Sequence, residues 1–384
     1  MKFSLGREWD DLKKFENLSD DERSIVFYSE NEDSSFIFES LIDELTTEFG
    51  MNICYVTSSK DESILKKESD NVKTFYIGDG VVRTKFFLNL KARILIITMP
   101  DLETYHIKRS KIFPVHYVYV FHAMVSTHLV YRKAAFDNFD TIFCVGEYQI
   151  EEIRNTERVY DLRPKNLEKI GYPHLDNLLE GEILKISKSN EKKFNVLLAP
   201  SWSNDGIFET LAEDIIKILL ENNFKVIFRP HPMSQKHSKK RVEEIFKRFS
   251  QEEDFLIENN ILNFNSFLSS DVMITDWSGS ALEFAFGFEK PILFVDVPKK
   301  INNPEYEKID LVPIEVSIRE KIGKIISPTR LESLPKELEN LILQTDKFQK
   351  QIVDIRNEMI FNIKKSKKYG AETIIKLLDE KSLS

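Results

Sequence analysis

Apolar runs of three to seven residues, separated by segments long enough for a helix, recur from residue 24 to residue 295 and restrict the fold more than any other feature of the chain. The first series lies at 24–29, 52–57, 72–77, 92–98, 115–121, 141–145 and 167–172, with helix-like stretches at 35–49, 81–90 and 127–138. Strands alternating with helices predict parallel βαβ units, and runs this apolar suit a sheet covered on both faces. The pattern stops at 177–193, a polar and charged connection with room for one helix. A second series follows, with strands expected at 195–199, 225–228, 255–257, 272–275 and 291–295 and helices at 209–222, 239–250 and 280–288. The expected architecture is α/β: two Rossmann-like doubly wound domains, residues 1–176 and 194–333, joined by 177–193 and closed by helices in 334–384. Ligands of open α/β sheets bind beyond the carboxyl ends of the strands, so two such sheets place the site in the cleft between them.

A length of 384 residues agrees with two domains rather than one core. The 54 basic and 63 acidic residues leave a net charge of −9, which argues against a nucleic-acid partner. Cys54 and Cys144 both lie inside apolar runs and are expected to be free and buried, with no metal-binding spacing. The first residues lack the apolar core of a signal peptide, and the apolar stretch near 115–125 carries two histidines and is too short to span a bilayer. The expected location is cytoplasmic, with a peripheral contact at the inner face of the membrane left open. The lysines of 364–368 read as the solvated face of a helix.

Chemistry is expected where the strands end. The run 272–275 leads into Asp276-Trp277-Ser278-Gly279-Ser280, where small residues and a helix start offer N–H groups and a positive dipole end to a phosphate. The plainer alternative is a capping box, with Ser280 capping and Glu283 three residues on. The run 225–228 leads into Arg229-Pro230-His231-Pro232, in which two prolines fix the backbone around a histidine, and Arg with His suits a diphosphate. The run 195–199 leads into Pro200-Ser201-Trp202, a loop able to line a ligand. In the first domain, His122 follows a strand and precedes small residues, the position of a base facing a cleft. His106, His116 and His237 read as ordinary hydrogen-bonded histidines, and His128 stays open between the two readings. No P-loop, Gly-x-Gly-x-x-Gly, Asp-x-Asp or Gly-x-Ser-x-Gly element occurs.

Taken together, Ala199-Pro200-Ser201-Trp202, Arg229-Pro230-His231-Pro232, Ser270-Asp271 with Ile274-Thr275-Asp276-Trp277-Ser278, and Lys290-Pro291-Ile292-Leu293-Phe294 resemble the CDP-glycerol glycerophosphotransferase family, the teichoic-acid-type primases and polymerases. Gly171-Tyr172-Pro173 with Asp176 resembles the family's Gly-x-Pro-Arg-x-Asp element, with His174 in place of the arginine. The family's Trp-His-Gly is here Phe121-His122-Ala123, and its paired serines are Ser278-Gly279. The resemblance covers roughly residues 115 to 300.

The resemblance implies a GT-B-like fold and a set of roles. His122 and His231 would be catalytic, His122 as the base toward the acceptor hydroxyl. Arg229 and His231 would stabilise the diphosphate and the departing CMP. Ser278, Gly279 and Ser280 would bind phosphate, with Ser201, Asp276 and Glu283 completing the substrate-binding set. Asp276 could instead orient its loop, and Glu283 could meet a ribose hydroxyl. The implied reaction moves glycerol phosphate, or a related polyol phosphate, from a CDP-activated donor to a glycopolymer or lipid-linked acceptor. It calls for no cofactor and no bound metal. Two alternatives stay open: a glycosyltransferase using a CMP- or UDP-sugar in capsule or O-antigen synthesis, and a catalytically silent nucleotide-binding partner.

Overall fold

The structure, a computed structural model, describes residues 6–66, 69–105, 107–180, 193–260 and 264–382. Seven parallel strands form the first sheet: β1 (Ile25–Ser29), β2 (Ile53–Thr57), β3 (Val72–Tyr76), β4 (Ile94–Ile97), β5 (His116–Val120), β6 (Thr141–Cys144) and β7 (Asn166–Lys169). Their order is β3-β2-β1-β4-β5-β6-β7, so the chain reverses its direction of travel between β1 and β4, where Ile25 pairs with Ile94. Each of these strands coincides with an expected run. Every residue of β1, β2, β4 and β6 is buried, as a doubly covered parallel sheet requires.

The second sheet repeats the plan with six strands: β8 (Asn195–Leu198), β9 (Lys225–Phe228), β10 (Phe255–Ile257), β11 (Val272–Thr275), β12 (Ile292–Val295) and β13 (Gly323–Ile326). Their order is β10-β9-β8-β11-β12-β13, with the reversal between β8 and β11. β13 escapes the hydrophobic pattern because it begins on glycine and carries an exposed lysine, yet it pairs with β12 from Ile292↔Gly323 to Val295↔Ile326. Both reversals point at the space between the sheets.

The helix expected at 127–138 does not form. Both the N–H and the hydroxyl of Thr127 go to Glu152, and Ala134 takes a left-handed φ of 68°, which an α-helix does not contain. Tertiary docking overrides the local pattern there. The stretch lies against the second domain, where Asn302 N–H donates to Leu129 O (3.1 Å), Asn303 Nδ2 to His128 O (3.0 Å), and Glu305 pairs with Lys133 (2.9 Å).

Helix Ser280–Phe288 is buried over Ala281, Leu282 and every residue from Phe284 to Phe288. A helix apolar nearly all round belongs inside a protein, and this one is wedged between the domains. One continuous apolar cluster joins the first sheet to this helix and to Leu197, Ile227 and Met273 of the second sheet.

The carboxy-terminal helices divide between the domains. Helix Leu334–Leu343 contributes Leu334, Leu338 and Leu341 to the outer core of the second sheet. Helix Ser366–Ser382 returns to the first, where Gly370 lies against Leu41. Asp176, 1% exposed, receives the N–H groups of Lys364 and Ser366 and the Ser366 hydroxyl. Gly171 (φ 97°) lets this return pass, since a Cβ there would lie 2.2 Å from the Phe361 carbonyl oxygen. The Gly-x-Pro-x-x-Asp element therefore fastens the end of the chain. Most of the expected connection, residues 181–192, lies outside the described residues, as does His106. Among the described residues no helix is long and apolar enough to cross a membrane.

Candidate active site

Asp276 organises the donor side from beneath. Its Oδ1 accepts the N–H of Ser201 (2.7 Å) and of Trp277 (2.7 Å), and its Oδ2 accepts the N–H of Ile207 (3.0 Å). The carboxylate is 1% exposed, so three backbone donors from the ends of β8 and β11 and a helix start replace its water. Asp276, named above among binding residues, thus positions the loops. Ser201 also departs from expectation: it is 2% exposed, and its hydroxyl faces inward with no hydrogen bond.

Above that carboxylate the turn is half-buried and presents two hydroxyls, Ser278 Oγ and Ser280 Oγ, 2.8 Å apart. Helix Ser280–Phe288 starts here with Gly279 at its N-cap and no side-chain cap. The capping box does not exist, and the positive end of the helix is not occupied by Glu283. Gly279 has an ordinary φ of −62°, so space and not backbone conformation concerns this position. A Cβ there would stand 3.1 Å from Val125 Cγ1 and 3.5 Å from Ala123 Cβ. Two departures from the family pattern, Ala123 and Gly279, therefore face each other across the domain boundary.

The two histidines present opposite faces of their chemistry. His231 caps helix Pro232–His237, its Nδ1 accepting the N–H of Met233 at 3.1 Å. A nitrogen that accepts carries no proton, so neutral His231 holds its hydrogen on Nε2, as a donor. Burial, then Lys300, then His122 lower its pKa to about 4, which keeps it neutral. His122 is the reverse. The residue is exposed, the Thr98 backbone lies close enough to its ring to favour the charged form, and a neutral imidazole keeps a lone pair on one nitrogen. The protein mass around the cleft lowers its pKa below the ordinary 6.5 and the Thr98 contact opposes this, so His122 is a neutral acceptor at pH 7.

Arg229 is committed to its own domain. Its Nη1 lies 2.6 Å from Glu258 and 3.2 Å from Ser266 Oγ, and the guanidinium packs on Phe267 at 4.9 Å. At 8% exposure it supports the loop and lends its charge to Glu283 rather than opening onto a ligand. In this structure these contacts do not serve the diphosphate-donor role expected of it.

Glu283 reaches across the boundary to Tyr172. The Tyr172 Oη lies 2.9 Å from Glu283 Oε1 and 2.9 Å from the backbone carbonyl of His122. One hydroxyl hydrogen cannot serve two acceptors. A protonated Glu283 can donate to Tyr172, which then donates to His122 O; an ionised Glu283 draws the hydrogen away. Burial raises Glu283 to about 7, against the Tyr172 bond and the charge of Arg229.

His128 lies outside the cleft, in the seam between domains. Its Nε2 is 3.1 Å from Leu311 O, and its Nδ1 is 3.3 Å from Glu152, in ion-pair range though off the hydrogen-bond direction. Burial opposes its charge, but Glu152 prevails and holds it above the usual imidazole range. Beside it, Glu315 accepts the Ser126 N–H at 2.7 Å, and burial raises that carboxyl to about 7. His174, standing where the family has arginine, is enclosed by Phe36, Tyr172 and Phe264, and burial lowers it to about 3.

One residue at the cleft escaped the sequence reading. Lys300, five residues beyond β12, is half-buried, with its ammonium 5.6 Å from the ring centre of Trp202. The strand-end rule that singled out His122 and His231 would have found it. Among the described residues no cluster of His, Cys, Asp and Glu is arranged to hold a metal ion.

Comparison with known proteins fits this geometry. The profile of the family described as CDP-Glycerol:Poly(glycerophosphate) glycerophosphotransferase matches residues 13–300. The minor teichoic acid biosynthesis protein GgaB of Bacillus subtilis (strain 168) is 24% identical over 223 residues, covering 49% of this chain and 23% of that protein. Less than a quarter of that relative is therefore spanned. Among solved structures, the wall teichoic acid polymerase TagF with CDPG superposes with a TM-score of 0.61 at 16% identity, over 98% of this chain and 95% of that one. UDP-GlcNAc 2-epimerase from Methanocaldococcus jannaschii, in complex with UDP-GlcNAc and UDP, gives 0.57 at 15% identity, over 93% and 99%. At these identities the likeness concerns the fold, and the GT-B-like arrangement of two parallel-sheet domains with a helical carboxy terminus is borne out.

Proposed function

Because the chain belongs to the CDP-glycerol:poly(glycerophosphate) glycerophosphotransferase family, we propose that it moves glycerol phosphate, or a related polyol phosphate, from a CDP-activated donor to a hydroxyl of an envelope glycopolymer or lipid-linked acceptor, releasing CMP. The observation that carries this reading is the opposed pair of imidazoles: a lone pair on the first-domain wall at His122, and an N–H on the second-domain wall at His231.

In this reading the free nitrogen of His122 takes the proton of the acceptor hydroxyl as its oxygen attacks the β-phosphorus. A new P–O bond forms, the bond from the β-phosphorus to the bridging oxygen breaks, and CMP leaves with that electron pair. His231 donates Nε2–H to the phosphate oxygens, and the hydroxyls of Ser278 and Ser280 with the uncapped helix start bind the group in transfer. Such a transition state needs position and charge stabilisation more than covalent chemistry. The reading assigns these tasks to side chains and invokes no cofactor. The acceptor, and a contact with the membrane surface that carries it, are part of the same proposal.

The test is a donor panel. CDP-glycerol, CDP-ribitol, CMP-sugars and UDP-sugars are incubated with the protein and envelope lipid extract, and nucleotide release is followed. CMP release from a CDP-polyol supports the reading. Release from a CMP- or UDP-sugar alone replaces it with a glycosyltransferase, and bound cytidine nucleotide without turnover replaces it with a silent partner.

A further inference from the structure

The donor wall has a charge deficit once its cations are followed to their partners. Arg229 is held by Glu258. Arg319 lies flat over Trp277 at 4.2 Å and pairs with Asp296 at 2.8 Å. Lys290 donates to the carbonyls of Phe267 (2.9 Å), Leu268 (2.6 Å) and Ser270 (2.6 Å). His231 is neutral. A diphosphate entering this wall would meet hydroxyls, one N–H and a helix end first, with Arg229 and Arg319 buried behind them at 8% and 4% exposure.

Lys300 is placed to supply a cation. Its loop leaves β12 at the carboxyl edge, and its ammonium forms no ion pair or hydrogen bond among the described residues. Trp202 fixes it from below: the indole lies 5.6 Å from the ammonium and stacks against His237 with centroids 5.8 Å apart. Trp202 is in turn set by its neighbour Ser201, whose N–H is bound to Asp276. The loops after β8, β9, β11 and β12 thus converge on one point, where His231, Asp276 and Lys300 lie within each other's field.

We propose that Lys300 is the phosphate-binding cation of the donor site, held by Trp202 beside His231 and Ser278 so that its ammonium meets the diphosphate oxygens of a cytidine diphosphate ligand. The assignment rests on the transferase reading for the identity of the nucleotide. Three properties agree with it. A partly buried ammonium without a counter-ion gains more from an arriving phosphate than an exposed lysine does. Burial lowers the Lys300 pKa and Asp276 opposes this, so the site favours a second anion. The charged and titratable groups around it, His231, Asp276 and His237, include one carboxylate, and that carboxylate is already bound to three N–H groups.

The experiment is calorimetric titration of the full chain with CDP, CDP-glycerol and cytidine, comparing wild type with Lys300→Met and Lys300→Arg. A charge-assisted contact of this kind corresponds to a loss of about 10- to 100-fold in affinity. Lys300→Met is expected to lose that much for CDP and CDP-glycerol and nothing for cytidine, with an unchanged melting temperature. Lys300→Arg is expected to recover most of the loss. Trp202→Leu, which releases the lysine without removing its charge, should weaken CDP by a smaller factor. Equal CDP affinity in wild type and Lys300→Met, or no CDP binding by wild type, overturns the assignment. CDP binding that depends on Lys300 without CMP release from CDP-glycerol leaves it standing and removes the transferase reading instead.

Discussion

Tyr172 and Glu283 meet across the domain boundary with 2.9 Å between Oη and Oε1, and the same hydroxyl lies 2.9 Å from the backbone carbonyl of His122. The base candidate of one domain is thereby tied to the helix that starts at the Ser278-Gly279-Ser280 turn of the other. Because Glu283 is raised to about 7, the proton that completes this chain is gained or lost near neutrality.

This arrangement predicts a pH-rate profile with an alkaline fall. As pH rises through about 7, Glu283 ionises, Tyr172 turns its hydrogen toward the carboxylate, and the His122 carbonyl loses its donor. Glu283→Gln, whose amide donates at every pH, is expected to remove that inflection, whereas Tyr172→Phe should depress activity at all pH values. The profiles of the three proteins, measured between pH 5.5 and 9 (about the range a neutral carboxyl spans), decide it.

An acid limb is expected from His122. Its pKa lies below the ordinary 6.5, so the base stays active through neutrality and is lost as pH falls through that lowered value. His231, at about 4, stays neutral over the same range and contributes no limb of its own. Replacing His231 by asparagine should lower the rate while leaving the acid inflection in place. Movement of that inflection in the His231 variant would contradict the division of roles.

Asp276 carries a structural prediction. Asp276→Ala strands the N–H groups of Ser201, Trp277 and Ile207 in the interior. Three unmet donors cost at least about 3 kcal/mol together, read as a lower melting temperature. Asp276→Asn keeps an accepting oxygen and should lose less.

Glu315 gives stability a pH signature. Its folded pKa is raised from 4.5 to about 7, so between those values the folded state holds more protons than the unfolded one and stability falls as pH rises. The effect approaches, on the order of, 3 kcal/mol above pH 7. Glu315→Gln is expected to flatten that slope in denaturant titrations at pH 5 and pH 8 (about either side of the window), with the wild type gaining relative stability at the lower pH.

Gly279→Ser restores the family's second hydroxyl but sets a Cβ 3.1 Å from Val125. The variant is expected to bind donor more weakly because the walls are pushed apart, and Val125→Ala in the same chain should relieve it. Donor affinity of the single and double variants checks the coupling.

Much of this was legible from period and punctuation. Strands buried on both faces, such as β1 and β4, announce themselves as unbroken apolar runs, and helix Ser280–Phe288 falls on its expected bounds. β13 did not, because a glycine-led edge strand with an outward lysine has no run to show. The segment 127–138 misled because helical spacing says nothing of a distant Glu152 that captures Thr127. For the site, the strand-end rule pointed to loops that the structure brings together, Ser201 with Asp276 and Lys300 with His231, but could not assign their side chains. Arg229 and Asp276 look like ligand groups in sequence, and only the positions of Glu258 and three N–H groups show them engaged elsewhere. Tyr172 showed only as the variable position of the Gly-x-Pro element, because its partners come from residues 122 and 283.

The central claim is that His122 accepts the proton of an attacking hydroxyl while His231 steadies the departing nucleotide. CMP release from CDP-glycerol in the presence of acceptor, measured for wild type, His122→Ala and His231→Ala, tests it most directly. The account predicts acceptor-dependent CMP release that falls by about 100-fold or more in His122→Ala, with CDP affinity retained there and reduced in His231→Ala. Undiminished CMP release by His122→Ala would contradict it.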